Sequence, residues 1–110
     1  ATTAKRLGRA RAALDQMARN LYDLSIKEKR DDGFLFDYKA LTGSHEELVL
    51  RVLLHAMDEL RPDADYAPRM EKAEALLERF LHDPAFNGAT LGGCIFAMDR
   101  KNGTVWIGKE

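Results

Sequence analysis

The sequence predicts an α+β domain, predominantly helical, with three main helices, a short extended segment and a C-terminal antiparallel β-hairpin. Three observations predict it. Apolar residues recur at helical spacing as far as Leu81, the period changes to strand-like alternation from Thr90 onward, and Asn102-Gly103 separates two alternating runs. That dipeptide between alternating hydrophobics is the strongest short-range hairpin signal. Hydrophobic residues make up 45% of 110 positions, enough for one compact core, and the length places residues 1–110 in a single domain.

The first helix is expected over residues 4–25. Leu7, Leu14, Ala18 and Leu21 fall on one side, with Ala10 and Met17 at its margin, while Lys5, Arg9, Gln16 and Asn20 project from the other. From Lys27 the chain is polar and reaches a turn signal at Asp31-Asp32-Gly33. Phe34, Phe36 and Tyr38 then alternate with Leu35 and Asp37, which predicts an extended segment able to add a strand to the hairpin. The second helix is marked by Ser44 with Glu47 three residues on, the pattern of a capping box. Its apolar stripe runs from Leu48 to Leu60, and Arg61-Pro62-Asp63 ends it. A third helix is expected from about Pro68, a residue suited to the first helical turn. Met70, Ala73, Leu76, Leu77, Phe80 and Leu81 supply its buried face.

Thr90 to Asp99 and Thr104 to Ile107 read as the two arms of the hairpin. With Asn102-Gly103 as a two-residue turn, Lys101 faces Thr104, Arg100 faces Val105 and Met98 faces Ile107. One face then carries Cys94, Phe96, Met98, Val105 and Ile107, which must pack on the helices because a lone hairpin is marginal in water. Trp106 alternates onto the other face. Gly92-Gly93 reads as a β-bulge or a close backbone approach.

The net charge is −1, but it is unevenly spread. Residues 1–30 hold eight Lys/Arg against three Asp/Glu, net +5, and the remainder is net −6. Lys5, Arg6, Arg9, Arg11 and Arg19 share the first helix, so this end can meet a polyanion. Few aromatics interleave with them, which argues against stacking on single-stranded bases. The single cysteine excludes an intrachain disulfide and fits a cytoplasmic protein. No apolar run is long enough for a helical membrane span, and no signal-peptide pattern opens the chain. Beginning at Ala1 rather than Met, the sequence reads as a piece of a longer parent.

Catalytic chemistry is not visible. His45, His55 and His82 are far apart, and Cys94 has no cysteine partner at metal-ligand spacing. Ser25 and Ser44 lie in no nucleophile elbow, and Cys94 falls inside a strand facing the core, as an inert thiol does. Gly92-Gly93 lacks the rest of a phosphate-binding loop. Metal, cofactor and catalytic residues are therefore expected to be absent from this piece.

Three stretches resemble the region that follows the ATP-binding domain in tRNA(Ile)-lysidine synthetases. They are Glu47-Leu48-Val49-Leu50-Arg51-Val52-Leu53-Leu54, then Tyr66-Ala67-Pro68-Arg69 leading into Leu76-Leu77-Glu78-Arg79-Phe80, and Ala89-Thr90-Leu91-Gly92-Gly93-Cys94 with a hairpin ending Trp106-Ile107-Gly108-Lys109-Glu110. Lys109 stands where the family often has arginine. The resemblance implies a noncatalytic, helical substrate-binding domain that positions an isoleucine tRNA against the parent's own N-terminal catalytic domain. The parent would be a ligase that uses ATP, with Mg, to attach lysine to the wobble cytidine. Its Ser-Gly-Gly-x-Asp-Ser nucleotide loop is absent here, so no catalytic residue carries over. Lys5, Arg6 and Arg9, by their charge, and Arg51 and Arg69, by their match to family arginines, are the expected tRNA contacts. The alternative is a structural or interaction domain that docks a neighbouring domain or a second subunit, as in a homodimer, without touching tRNA.

Overall fold

The computed structural model describes residues 2–63 and 70–110. In chain order the elements are α1 (Thr2–Ser25), β1 (Ile26–Lys29), β2 (Gly33–Asp37), α2 (Tyr38–Thr42), α3 (Glu46–Leu60), α4 (Met70–His82), β3 (Gly88–Leu91), β4 (Cys94–Asp99) and β5 (Thr104–Lys109). The strands form one antiparallel sheet in the order β1-β2-β5-β4-β3. Alternation along the strands sends Phe34, Phe36, Cys94, Phe96, Val105 and Ile107 to one face, where all are buried. α3 covers that face. Its apolar positions Val49, Leu50, Val52, Leu53, Ala56, Met57 and Leu60 are all buried, a stripe wide enough to meet the sheet, α1 and α4 at once.

Aromatic contacts join the layers. Tyr22 of α1 meets Phe36 edge-on at 5.3 Å between centroids, and Tyr38 meets Phe80 of α4 at 5.2 Å. The Tyr38 hydroxyl donates to the Phe80 carbonyl oxygen at 2.9 Å, which fixes α2 against the end of α4.

This architecture corrects the expectation of three helices and a simple C-terminal hairpin. Among the described residues there are four helices, and the hairpin is the middle of a five-stranded sheet. β1 was hidden because it is an edge strand, Ile-Lys-Glu-Lys, whose three charged residues are exposed and carry no alternation. A register shift between Ile26 and Glu28 further obscures its period. α2 was hidden inside the extended segment: the strand stops at Asp37, whose carboxylate accepts from the Ala40 amide at 2.8 Å and starts a five-residue helix. The expected run from Thr90 to Asp99 is two strands. Gly92 and Gly93, with φ of 58° and 79°, form a tight turn between β3 and β4 rather than a bulge.

Two local expectations also change. The N-cap of α3 is His45, whose Nδ1 accepts from the Glu47 amide at 3.0 Å, and not Ser44. Glu47 does not reach back to complete a capping box, because its carboxylate accepts from Arg51 Nε at 2.9 Å. In the β4–β5 hairpin, Asp99 pairs with Thr104, Met98 with Val105 and Phe96 with Ile107, so four residues form the loop. The Asp99 carboxylate accepts from the Asn102 amide and side chain, closing a turn ahead of Gly103 at φ 67°. Those bonds also pull the Asp99 carboxyl below its ordinary range. A slip of two residues preserves side-chain parity, so the expected inner face survives the wrong register. The start expected at Pro68 lies outside the described residues.

Trp106 lies on the face opposite the helices, half-buried against its own sheet. A Cβ at Gly33 would fall 2.2 Å from its Cζ2 atom, and one at Gly108 would fall 2.4 Å from Nε1. The indole occupies the room that these two glycines leave. Gly88 is confined by backbone instead, since its Cβ would stand 2.7 Å from the Phe96 carbonyl oxygen. Gly88→Ala is therefore expected to lower stability by about 1–3 kcal/mol, read from the urea midpoint. Gly8→Ala, with nothing within 4 Å of the new methyl, should leave the midpoint no lower.

Candidate nucleic-acid interface

α1 has two halves. From Ala18 to Ser25 it packs on the domain and buries Ala18, Leu21 and Ser25, the last donating its hydroxyl to the Leu21 carbonyl at 2.6 Å. From Thr2 to Ala13 every residue is exposed. At about 1.5 Å per residue this leaves some 18 Å of helix projecting from the body. The molecule measures 49 × 32 × 25 Å along its principal axes.

The projecting half carries Lys5, Arg6, Arg9 and Arg11 and no acidic residue. None of the four forms an ion pair with the described residues. Lys5 and Arg9 lie one helical turn apart on the same side, about 6 Å from each other. The helix N-terminus adds its own partial positive charge, with no acid in the first turn to offset it. A row of unpaired, solvated cations of this kind can contact phosphates and carries no base-reading geometry.

Arg51 is differently placed. Its Nη1 donates to Asp15 at 2.6 Å and its Nε to Glu47, so it ties α1 to α3 where the projecting half begins. Its side chain is 23% exposed, and its two partners are about 40% exposed. The structure thus brings Lys5, Arg6 and Arg9 together on one arm and sets Arg51 at the arm's base. Arg69 lies outside the described residues.

A cleft of about 370 Å³, absent from the sequence reading, opens between α1, β1 and α3 and is lined by Arg19, Tyr22, Asp23, Lys29, His55, Asp58 and Glu59. Its residues come from three separated stretches, so no sequence signal marked it. Lys29 pairs with Glu59 and stands 5.3 Å from the Tyr22 ring centroid and 5.2 Å from that of Phe34. The Tyr22 hydroxyl donates to Glu59 at 3.1 Å. Burial raises the Tyr22 phenol above its ordinary value, and the bond to Glu59 raises the Lys29 ammonium. The Lys29–Glu59 pair holds β1 to α3.

Cys94 is fully buried, and burial pushes its thiol up, which disfavours the reactive thiolate. Among the described residues no group of three or more His, Cys, Asp or Glu is placed to hold a metal ion, and no helix is long and apolar enough to cross a membrane.

A curated tRNA(Ile)-lysidine synthase from Bradyrhizobium sp. (strain BTAi1 / ATCC BAA-1182) is 39% identical over 101 aligned residues, covering 84% of this chain. The chain is a relative of the tRNA(Ile)-lysidine synthases. It spans 27% of the length of that synthase, so the likeness concerns about a quarter of such a protein. No protein-family model and no solved structure matches the chain. The synthase relationship reaches most of the chain, yet the described residues show no catalytic motif of their own.

Arg51→Ala leaves Asp15 and Glu47 without their shared cation. With all three side chains partly solvated, the expected cost is about 1 kcal/mol, whereas Lys5→Ala should stay within about 0.5 kcal/mol; urea unfolding separates the two. Cys94 is expected to resist an aromatic disulfide reagent at mildly alkaline pH in the folded chain and to react at once after denaturation, followed by absorbance.

Proposed function

We propose that this chain is the noncatalytic tRNA-positioning domain of a cytoplasmic tRNA(Ile)-lysidine synthase. The observation that carries the reading is the similarity to such a synthase over 84% of the chain. In the proposed parent, ATP supplies the activation that lets lysine join the wobble cytidine of an isoleucine tRNA. The sites for ATP and Mg are assigned to the parent's N-terminal catalytic domain on the family resemblance alone.

Within this reading Lys5, Arg6 and Arg9 contact tRNA phosphates from the projecting half of α1. Such contacts position a nucleic acid without reading its sequence. Arg51 acts at the base of the arm, where its bonds to Asp15 and Glu47 set the angle of α1. Arg69 is a proposed contact on the strength of the family resemblance alone. A second reading, a docking domain without tRNA contact, draws on Leu7, Met17 and Leu24, which are 64%, 53% and 75% exposed on α1.

The test is tRNA binding by the full-length protein across a salt series, with Lys5, Arg6 and Arg9 all changed to alanine. Loss of three phosphate contacts should weaken binding and flatten the slope of log K against log salt by roughly 2–3. Binding and slope that both match the unsubstituted protein would exclude these residues and favour the docking reading.

A further inference from the structure

The dipeptide Asn-Gly occurs twice, as Asn87-Gly88 and Asn102-Gly103. Glycine after asparagine leaves the backbone nitrogen unhindered, and its conformational freedom lets that nitrogen swing toward the asparagine side chain. Both asparagines are exposed, so neither sequence nor solvent access separates them. Asn20, the third asparagine, lies within α1 ahead of Leu21.

The fold does separate the two pairs. A peptide unit turns as one plane, so a hydrogen bond at its carbonyl also fixes its nitrogen. The Asn87 carbonyl oxygen accepts from the Met98 amide at 2.9 Å. Gly88 lies so close to β4 that a Cβ there would stand 2.7 Å from the Phe96 carbonyl oxygen. Turning this plane would break the β3–β4 ladder at its start. Asn102-Gly103 lies in the four-residue loop between β4 and β5. Among the described residues no turn hydrogen bond engages the Asn102 carbonyl or the Gly103 amide, and nothing stands within 4 Å of a Cβ at Gly103. The restraint there comes from the Asp99 carboxylate, which accepts from the Asn102 amide at 3.2 Å and from its Nδ2 at 2.8 Å, both exposed. Neither bond holds the plane between Asn102 and Gly103.

We propose that Asn102 is a site of spontaneous deamidation in the folded chain and that the sheet protects Asn87 from the same reaction. Hydroxide takes the Gly103 amide proton, and the nitrogen attacks Asn102 Cγ. The Cγ–Nδ2 bond breaks, Nδ2 takes a proton from water, and ammonia leaves a five-membered succinimide. Water then opens the ring. Attack at Cγ gives aspartate, and attack at the backbone carbonyl carbon gives isoaspartate, in which the chain runs through Cβ and Cγ. One water is consumed and one ammonia released, with no oxidation or reduction. Either product replaces the donor to Asp99 with a second carboxylate, and like charges side by side oppose the turn. Isoaspartate also lengthens the backbone of the loop that joins β4 to β5. The proposal does not depend on the chain's kinship to the synthases.

Peptide mapping by mass spectrometry tests it, with the purified chain held at mildly alkaline pH in native buffer and, in parallel, in urea. In native buffer the expected result is conversion at Asn102, with Asn87 and Asn20 intact. In urea Asn87 and Asn102 should convert at similar rates, since each is then an unrestrained Asn-Gly pair. Native conversion should also yield a more acidic form on ion exchange, absent from Asn102→Ser. Asn102 that stays intact in native buffer overturns the proposal, as does Asn87 converting there at the same rate. Asn87 that stays intact in urea as well overturns the protection assigned to the sheet. An acidic form that persists in Asn102→Ser places the reaction elsewhere and overturns the assignment.

Discussion

The fold depends on covering one apolar face of the sheet. Phe34, Phe36, Cys94, Phe96, Val105 and Ile107 all point to that face, and α3 is the element that closes it. Burying side chains of this size contributes about 1.5–3 kcal/mol each, far more than any surface ion pair here. The remaining arrangement follows from it. The β4–β5 hairpin lies in the middle of the sheet because two strands alone are marginal, and β2 and β3 complete its two sides. α1 and α4 then close the flanks of α3, whose stripe of seven buried residues leaves little of it for solvent.

α1 is committed to this core for only half its length. The ion pairs of Arg51 with Asp15 and Glu47 mark the boundary between the packed and projecting parts. Beyond it, none of the described residues buries or pairs with Lys5, Leu7 or Arg9, so the composition there does not answer to the described core. On that stretch Lys5 and Arg9 lie across the helix from Leu7. By contrast, Lys29 and Glu59 of the α1–β1–α3 cleft pair with each other, which holds the edge strand.

Kinship with the tRNA(Ile)-lysidine synthases is consistent with a domain that has much surface and no visible chemistry. The cysteine is sequestered, no metal-ligand cluster is formed among the described residues, and the chain corresponds to about a quarter of the related synthase. What such a piece can contribute is shape and charge at defined positions. A helical arm whose cations form no ion pair with the described residues, with the Arg51 ion pairs at its base, supplies both.

The sequence by itself determined the periodic elements and their faces. The helices around Leu21, Val52 and Leu77, and the inner-face residues from Cys94 to Ile107, were all legible because burial imposes a period on the residues that experience it. The turn at Gly103 was legible in location but not in length, since Asp99 closes the loop with bonds that the dipeptide does not reveal. Tertiary structure alone decided the rest. β1 is a strand only because Phe34, Leu35 and Phe36 stand beside it to receive its hydrogen bonds, and its own residues, mostly solvated, bear no period. His45 rather than Ser44 caps α3, since α3 begins at Glu46 and the His45 ring lies where it accepts from the Glu47 amide. The fate of Arg51 depended on Asp15, thirty-six positions away. Likewise the end of α1 is an arm because the body stops short of it: the periodicity of Leu7 announced a buried face, and only the assembled fold shows that no part of the described domain reaches it.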